Sequence, residues 1–330
     1  MKDKNFFIPG GIEYLMPEEA IEFEKLKSNV LGIFKKYNYE YVIPPIIDNL
    51  TNLLSLNSSD VDQLTVTFTD QISGKQIGLR SDITSQIAMI DYQLSKSGLS
   101  RFGYMGDIVR ISKSLFDRKN PFQVGAELFG CSKKSHDLEI INLMTDVIHL
   151  TKQRELIIEI GDLSVINKII KSLDITETDQ SYLVQLINTK STDEIQSFLK
   201  HKNVKKNSRE GLVTLISLSG DFKVLNEIAT IASKFDSDIS EKIDNLRYLA
   251  KKVSQFSKSI NVVIDLSDLH SLDYQSSLTF SAYIENYRQA IARGGRYVAY
   301  GKSGNQPRNA CGFSLDLKDI FFQMKEVRNA

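Results

Sequence analysis

The sequence has little of the residues that mark several specialised protein classes. Its 330 residues contain no tryptophan, six prolines, four histidines and two cysteines. The cysteines, Cys131 and Cys311, are too few for a disulfide scaffold and lack the spacing of a metal or redox motif. The histidines form no paired ligand motif. We therefore expect neither a disulfide framework nor a bound metal.

The chain also lacks a net charge and a long apolar run. Lys and Arg number 41, as do Asp and Glu, so the formal net charge is zero. A neutral surface does not attract a polyanion as a whole, which disfavours nucleic acid as a partner. No apolar run approaches the about 20 residues that cross a bilayer, and MKDKNFFIPGG lacks the apolar core of a signal peptide. We expect a cytoplasmic protein without a membrane partner.

Two common signatures of enzymes are missing as well. There is no G-x-x-x-x-G-K-[ST] phosphate loop and no G-x-S-x-G nucleophile elbow. We expect no cofactor.

The N-terminal part begins with a predicted helix and an extended segment. Residues 17–38 carry an apolar stripe at helical spacing, and Pro17 suits a first-turn position. The following YEYVIPPIIDN contains Pro44 and Pro45, which would interrupt a strand ladder, so it is predicted to be an edge strand or an extended arm. Such apolar arms lie at subunit contacts or simply cross the surface, and both interpretations fit.

A hairpin and a helix come next. Residues 65–70 and 76–79 alternate as the two strands of a hairpin. The helix in LRSDITSQIAMIDYQL is predicted to bury Ile83, Ile87, Ile90 and Leu94. Asp82 and Thr84 then lie at a strand-to-helix junction. They either cap the helix or bind an ammonium group, since carboxylate and hydroxyl both accept hydrogen bonds from it.

Residues 110–130, RISKSLFDRKNPFQVGAELFG, are predicted to form a strand, a polar loop and a second strand. Because neighbouring side chains of a strand point to opposite faces, Gln123, Gly125 and Glu127 share one face. Gln123 and Glu127 lie roughly 13 Å apart along the strand, and Gly125 leaves space between them. Arg110, on the preceding strand, can join this face. The set suits a small zwitterion, while an ordinary solvent-facing sheet surface fits the local sequence equally well.

The pattern changes in the second half of the chain. Helical patterns without strand alternation fill residues 174–257, which we predict to be a helical insertion domain. Residues 1–173 and 258–330 would form the core domain around it, with strands in INVVIDLS, SSLTFSAYIEN, ARGGRYVAYG and NACGFSLDL and a closing helix in LKDIFFQMKEV. The basic stretch HKNVKKNSREG is interpreted as a solvated loop.

Six motifs, in order, resemble the catalytic core of the histidyl-tRNA synthetases: PGGIEYLMPEEA, VIPPIID, LRSDITSQIA, FQVGAELFG, ARGGRY and NACGFSLDL. The resemblance is closer to a non-catalytic branch, the regulatory subunits of ATP phosphoribosyltransferase. LRSDITSQIA is similar to their LRADITPQ, where the synthetases have a RPEGT-like sequence. The resemblance implies an α+β fold of the class II synthetase kind, with an antiparallel sheet flanked by helices and a helical insertion. VIPPIID would be its motif 1, at a dimer contact.

The resemblance also assigns a histidine site. Its members would be Asp82, Thr84, Arg110, Gln123, Glu127, Tyr274 and Gln275. Gln275 stands where the family has a second tyrosine. Whether its amide forms a hydrogen bond with an imidazole nitrogen is left open by the sequence.

Other positions depart from the synthetase pattern. Ser112 replaces a motif 2 glutamate, and His270 and Asp319 replace two arginines. Val298 replaces the acid of a GGRYD-like motif. Adenylate formation needs arginines to neutralise the phosphates of ATP, and an acid at position 319 would repel them. The sequence given ends shortly after Asp319, so no anticodon-binding domain is expected.

The resemblance therefore implies a non-catalytic regulatory subunit of ATP phosphoribosyltransferase, which catalyses the first step of L-histidine biosynthesis. It would support a short-form catalytic chain and transmit feedback by L-histidine. The expected partners are that catalytic chain, in a hetero-octamer with equal numbers of both chains, and a second copy in a dimer. The alternatives are a truncated, active histidyl-tRNA synthetase and a histidine-binding sensor for another partner.

Overall fold

A computed structural model of the protein describes residues 10–56, 64–94, 98–111, 118–152, 155–235, 239–268, 275–285, 287, 289–299 and 307–329. The chain forms two compact units. The first contains Met1–Cys131, Leu143–Lys152 and Ala299–Ala330, and the second contains Ser132–Asn142 and Gln153–Val298. The predicted insertion, residues 174–257, falls within the second unit, and its independence as a domain stays a prediction.

Helices and strands are both abundant among the described residues. In chain order the strands are β1 Glu40–Val42, β2 Ile47–Asn49, β3 Val66–Thr69, β4 Gln76–Leu79, β5 Ser100–Asp107, β6 Phe122–Phe129, β7 Leu156–Asp162, β8 Ser219–Gly220, β9 Ile260–Asp265, β10 Gln275–Ile284, β11 Ala292–Ala299 and β12 Arg308–Asp316. The helices are α1 Pro17–Lys36, α2 Leu50–Leu53, α3 Thr84–Leu94, α4 Lys134–Ile148, α5 Leu163–Ser172, α6 Glu177–Asn188, α7 Thr192–His201, α8 Lys206–Ser217, α9 Val224–Ala232, α10 Ile239–Val253 and α11 Leu317–Asn329.

The first unit is built on a mixed sheet. β1 runs parallel to β5, while β5, β6 and β12 are successive antiparallel neighbours. A separate three-stranded sheet pairs β4 with β2 and β3. The predicted hairpin is thus confirmed as β3 and β4, and the proline-containing segment between β1 and β2 connects the edges of the two sheets.

Helix α1 covers one face of the β5–β6 sheet. The Phe23 ring meets the rings of Phe122 and Phe321 edge-on, with centroids 5.3 and 5.6 Å apart. The Phe34 ring lies over Gly103, where an added Cβ would come within 2.6 Å of it. Since Phe122 and Gln123 are neighbours in one strand, their side chains point to opposite faces. The polar residues of β6 therefore lie on the face away from α1.

The second unit combines strands and helices. Its strands have the order β11, β10, β7, β9 and β8, with β7 and β9 parallel and the other neighbours antiparallel. Five helices, α6 to α10, fill most of residues 177–253, as the helical patterns predict. The two-residue strand β8 is the unpredicted exception.

The predicted fold class is confirmed: an α+β fold in which most neighbouring strands are antiparallel and the strands are flanked by helices. Two local predictions are wrong. Leu94 is 52% exposed rather than buried, because it is the last residue of α3. The predicted basic loop is mostly helical, since α7 ends at His201 and α8 begins at Lys206. Among the described helices, none is both long enough and apolar enough to cross a bilayer.

Candidate functional site

The polar residues of β6 are buried. Gln123 and Glu127 are only 3% and 2% exposed, and the alternation of the strand puts them on one face, as predicted. The solvent-facing interpretation of this strand is therefore wrong. Buried amide and carboxylate groups cost free energy unless they are hydrogen-bonded, so their partners define the site.

Gln123 joins β6 to the start of α3. Its amide nitrogen Nε2 donates to Asp82 Oδ2 at 2.8 Å, and its oxygen Oε1 accepts from the Ile83 backbone N–H at 2.9 Å. Asp82 Oδ1 accepts from the Thr84 backbone N–H at 2.7 Å, so Asp82 bonds the first residue of α3 from one residue before the N-cap position. The role of Asp82 as an ammonium acceptor stays a prediction.

Tyr104 belongs to the site although the sequence did not single it out. It lies opposite Gly125 in the β5–β6 register, and its hydroxyl lies 3.3 Å from Thr84 Oγ1 and 3.5 Å from Glu127 Oε1. A Cβ added at Gly125 would overlap the end of the phenol ring. The space predicted beside Gly125 is therefore occupied by Tyr104, whose hydroxyl lies between Thr84 and Glu127.

Burial keeps the Tyr104 hydroxyl neutral. The ring is fully buried, and this burial, together with the neighbouring Glu127 and Asp82, raises the pKa of Tyr104 well above its usual value. The phenol consequently keeps its proton at any physiological pH and remains a hydrogen-bond donor.

A second glycine makes room for Glu127. Gly312 lies opposite Glu127 in the β6–β12 register, and a Cβ at Gly312 would overlap the Glu127 carboxylate. This carboxylate therefore lies against the backbone of β12, where a larger residue would displace it.

Arg110 is placed differently from the prediction. β5 ends at Asp107, three residues earlier, although the Arg110 backbone N–H still bonds Lys119 O at 3.0 Å. The guanidinium Nε donates to the backbone oxygen of Ser81 at 2.9 Å. Arg110 thus contacts the residue before Asp82 and borders the site from outside β5.

The remaining side chains of the predicted histidine site lie outside the described part of the chain. Tyr274 and the Gln275 side chain fall there, as do Ser112 and His270 among the departures from the synthetase pattern.

Asp319 belongs to an ion cluster around Arg118. The Arg118 guanidinium bonds Glu13 Oε2 at 2.8 Å and Asp319 Oδ1 at 2.7 Å, and it also contacts the Asp316 carboxylate. Burial alone would lower the pKa of Arg118, but the carboxylates of Glu13, Asp316 and Asp319 raise it above its ordinary value. This guanidinium therefore stays charged, and three carboxylates of the chain offset its charge.

Comparison with known proteins identifies the family. The family model for histidyl-tRNA synthetase matches residues 11–320. An ATP phosphoribosyltransferase regulatory subunit of Thioalkalivibrio sulfidiphilus is 32% identical over 323 residues, which is 97% of this chain and 82% of the relative. The protein of that name from Paraburkholderia phymatum is 33% identical over 317 residues, covering 96% of this chain and 81% of the relative.

Solved structures show the same fold. A Bacillus halodurans structure described as an ATP phosphoribosyltransferase regulatory subunit/histidyl-tRNA synthetase has a TM-score of 0.84 at 20% identity, covering 98% of this chain and 84% of that one. A chain of an ATP phosphoribosyl transferase complex (HisG:HisZ) from Thermotoga maritima has a TM-score of 0.69 at 17% identity, covering 88% of this chain and 96% of that one. Since the family model spans nearly the whole sequence and relatives above 30% identity share one name, the chain belongs to the ATP phosphoribosyltransferase regulatory subunits of the histidyl-tRNA synthetase family.

Proposed function

We propose that this chain is the non-catalytic regulatory subunit of ATP phosphoribosyltransferase, acting in the cytoplasm in the first step of L-histidine biosynthesis. It binds a short-form catalytic chain, supports its activity and transmits feedback by L-histidine. The observation that carries this proposal is the 32–33% identity to curated regulatory subunits over 96–97% of the chain.

The Arg118 cluster supports the absence of aminoacylation. Adenylate formation requires cationic groups that can neutralise phosphates. Asp319 instead accepts a hydrogen bond from Arg118, and Asp316 Oδ1 accepts from the Lys318 backbone N–H at the start of α11. The Asp319 carboxylate therefore stands where the synthetase resemblance requires a phosphate-binding arginine, and the Asp316 carboxylate contacts the same guanidinium. Purified chain should show no histidine-dependent exchange of pyrophosphate into ATP, whereas a truncated synthetase would show it.

The buried polar residues support L-histidine as the effector. The Asp82 carboxylate and the Thr84 hydroxyl are acceptors suited to the α-ammonium group, and Glu127 suits an imidazole N–H. Arg110, which borders Asp82 through the backbone of Ser81, would pair with the α-carboxylate. Gln123 would complete the ammonium end, and Tyr274 and Gln275 would complete the imidazole end.

Exposed apolar side chains near the two prolines support a dimer. They are Tyr41, Ile43, Ile46, Ile47 and Phe68, each at least 40% exposed. Contacts through such side chains exclude water and do not depend on charge. Ile43→Glu should shift the purified chain towards a monomer in light scattering, while Phe222→Glu, at an exposed phenylalanine of the second unit, should not. An unchanged dimer in the Ile43 variant would place the contact elsewhere.

Reconstitution tests the proposal as a whole. The chain is mixed with a short-form catalytic chain, and co-purification and phosphoribosyl transfer are measured with and without L-histidine. We expect a stable hetero-octamer, stimulated transfer, and inhibition by histidine. Failure to co-purify or to stimulate would favour a histidine-binding sensor for another partner.

One variant tests the effector pocket within that complex. Glu127→Gln nearly keeps the side-chain shape but removes the charge, and a charge-assisted hydrogen bond is worth roughly 1.5–3 kcal/mol. We expect histidine affinity to fall about ten- to a hundred-fold while assembly and uninhibited activity persist. Asp146→Asn is the control, because Asp146 bonds Lys36 and Tyr37 instead. Unchanged inhibition in the Glu127 variant would place the feedback site elsewhere.

A further inference from the structure

We propose that Gly312 is a positioning residue that sets the depth of the histidine pocket, because it lets the Glu127 carboxylate lie back against β12. With a side chain at position 312, the carboxylate would stand further into the pocket and would suit a shorter ligand. The inference rests on the proposed histidine pocket and adds to it a residue that selects the ligand by its length.

The first argument is the contact between Gly312 and Glu127. The two residues lie opposite one another in the β6–β12 register, so their Cα–Cβ directions point to the same face of the sheet. An ideal Cβ built on Gly312 would overlap the end of the Glu127 side chain, including its oxygen Oε2. The carboxylate therefore occupies the volume that a side chain at position 312 would fill.

The second argument is that the carboxylate has one direction in which to move. On the other side of β6, Phe102 lies opposite Glu127 in the β5–β6 register, and its ring is fully buried. The Tyr104 hydroxyl, 3.5 Å from Glu127 Oε1, fills the neighbouring place on β5. A methyl group at position 312 would thus push the carboxylate away from the sheet, by more than about 1 Å if the two groups are to reach van der Waals separation.

The contacts of Glu127 within the chain leave it able to accept a hydrogen bond from a ligand. A carboxylate has two oxygens and about four acceptor sites, so the hydrogen bond from Tyr104 leaves sites for a ligand N–H. These contacts fix the place of the carboxylate. The backbone of β12 then decides how far that place lies from Asp82 and Thr84 at the ammonium end.

The depth of the pocket selects among amino acids that carry the same polar groups. L-Histidine and L-asparagine both have an ammonium group, an α-carboxylate and a side-chain N–H. The far ring nitrogen of histidine is one bond more distant from Cα than the amide nitrogen of asparagine. A carboxylate set back against β12 suits the longer ligand, and a carboxylate pushed forward suits the shorter one.

Calorimetry on the full chain tests this selection, with L-asparagine measured by competition with L-histidine. Gly312→Ala should lower the affinity for histidine about ten-fold, the value of one net hydrogen bond. It should change the affinity for asparagine less than about two-fold. The ratio of the two affinities is the readout, because the new methyl group also comes within 2.8 Å of the Ala126 backbone oxygen, and a general disturbance would weaken both ligands alike.

Gly103→Ala is the matched control. It places a methyl group 2.6 Å from the Phe34 ring, on the face of the sheet that α1 covers, so it disturbs the packing of the same unit without touching the pocket. The ratio of the two affinities should stay within about two-fold of wild type. In Gly312→Ala, a ratio that moves less than about two-fold would overturn the inference alone. Wild-type chain that binds no histidine would overturn the proposed pocket and the inference together.

A shorter acid covers the case in which Gly312→Ala does not fold. In a Glu127→Asp background the carboxylate does not reach across to β12, so the methyl group at position 312 has no carboxylate to displace. Adding Gly312→Ala should then change histidine affinity less than about two-fold relative to Glu127→Asp alone. A larger further loss would show that position 312 acts on the ligand without Glu127, and it would overturn the inference.

Discussion

Glu159 should make the stability of the second unit depend on pH. It lies in β7, directly opposite Ser281 of β10. Burial, followed by the carboxylates of Asp265 and Asp268, raises the pKa of Glu159 from 4.5 to about 7, although Lys190 and Arg293 act in the opposite direction. Lys190 bonds Asp265 at 2.9 Å and Arg293 bonds Asp268 at 2.9 Å, so both cations are already engaged by other carboxylates.

The sign follows from proton linkage. Because the folded chain holds the Glu159 proton more tightly than the unfolded chain, the stabilisation is complete below about pH 4.5 and is lost as the pH rises through about 7. The difference between these pKa values corresponds to a ceiling of about 3.4 kcal/mol. Glu159 is only partly buried, so solvent screening reduces the loss to about 1–2 kcal/mol at pH 8.

Urea denaturation of wild type and Glu159→Gln at pH 5, 6, 7 and 8 measures this loss. We expect the two free energies of unfolding to differ by less than about 0.5 kcal/mol at pH 5, and the variant to be about 1–2 kcal/mol more stable at pH 8. Glu155→Gln, at an exposed glutamate just before the same strand, should follow the wild-type profile. A difference between Glu159→Gln and wild type that stays constant with pH, or a variant that is less stable at pH 8, would refute the reasoning.

Two further substitutions test the packing of the first unit. Gly125→Ala should lower the free energy of unfolding by about 1–3 kcal/mol, because the new methyl group overlaps Tyr104. Gly220→Ala in the second unit is the control. It should change the free energy of unfolding by less than about 0.5 kcal/mol, since an added Cβ there meets nothing within 4 Å. Arg308→Met should lower the free energy of unfolding by about 3–5 kcal/mol in the same assay. The reason is that Asp91, whose side chain is 3% exposed, loses the guanidinium that lies 2.6 Å away. A loss below about 1 kcal/mol would show that this ion pair contributes little to stability.

Local periodicity was enough to predict much of the site. The two-residue period of a strand is intrinsic to the backbone, so it placed Gln123 and Glu127 on one face without knowledge of the fold. The junction before α3 could likewise be recognised from Asp82 and Thr84, because the bond between the Asp82 side chain and the Thr84 backbone N–H spans only two residues.

Contacts between distant segments could not be predicted in this way. Which residue of β5 lies opposite Gly125 depends on the register of two strands, and a shift of one residue would have put Tyr104 on the other face. The sequence identified Asp319 as an acid that opposes phosphate, but the partner that satisfies it, Arg118, is 201 residues away. Register and long-range pairing are set by tertiary packing rather than by local pattern.

The two polar clusters of the first unit differ in how fully the chain satisfies them. Arg118 is held by direct contacts of 2.7–2.8 Å to Asp319 and Glu13 as well as by Asp316. Among the described residues, the Tyr104 hydroxyl contacts Thr84 Oγ1 at 3.3 Å and Glu127 Oε1 at 3.5 Å. A guanidinium already surrounded by carboxylates gains little from a phosphate and would have to break three ion pairs to bind it, whereas a loosely bonded hydroxyl gains from a ligand that completes its hydrogen bonds. This contrast agrees with the proposed function, in which the unit takes an amino acid without a nucleotide.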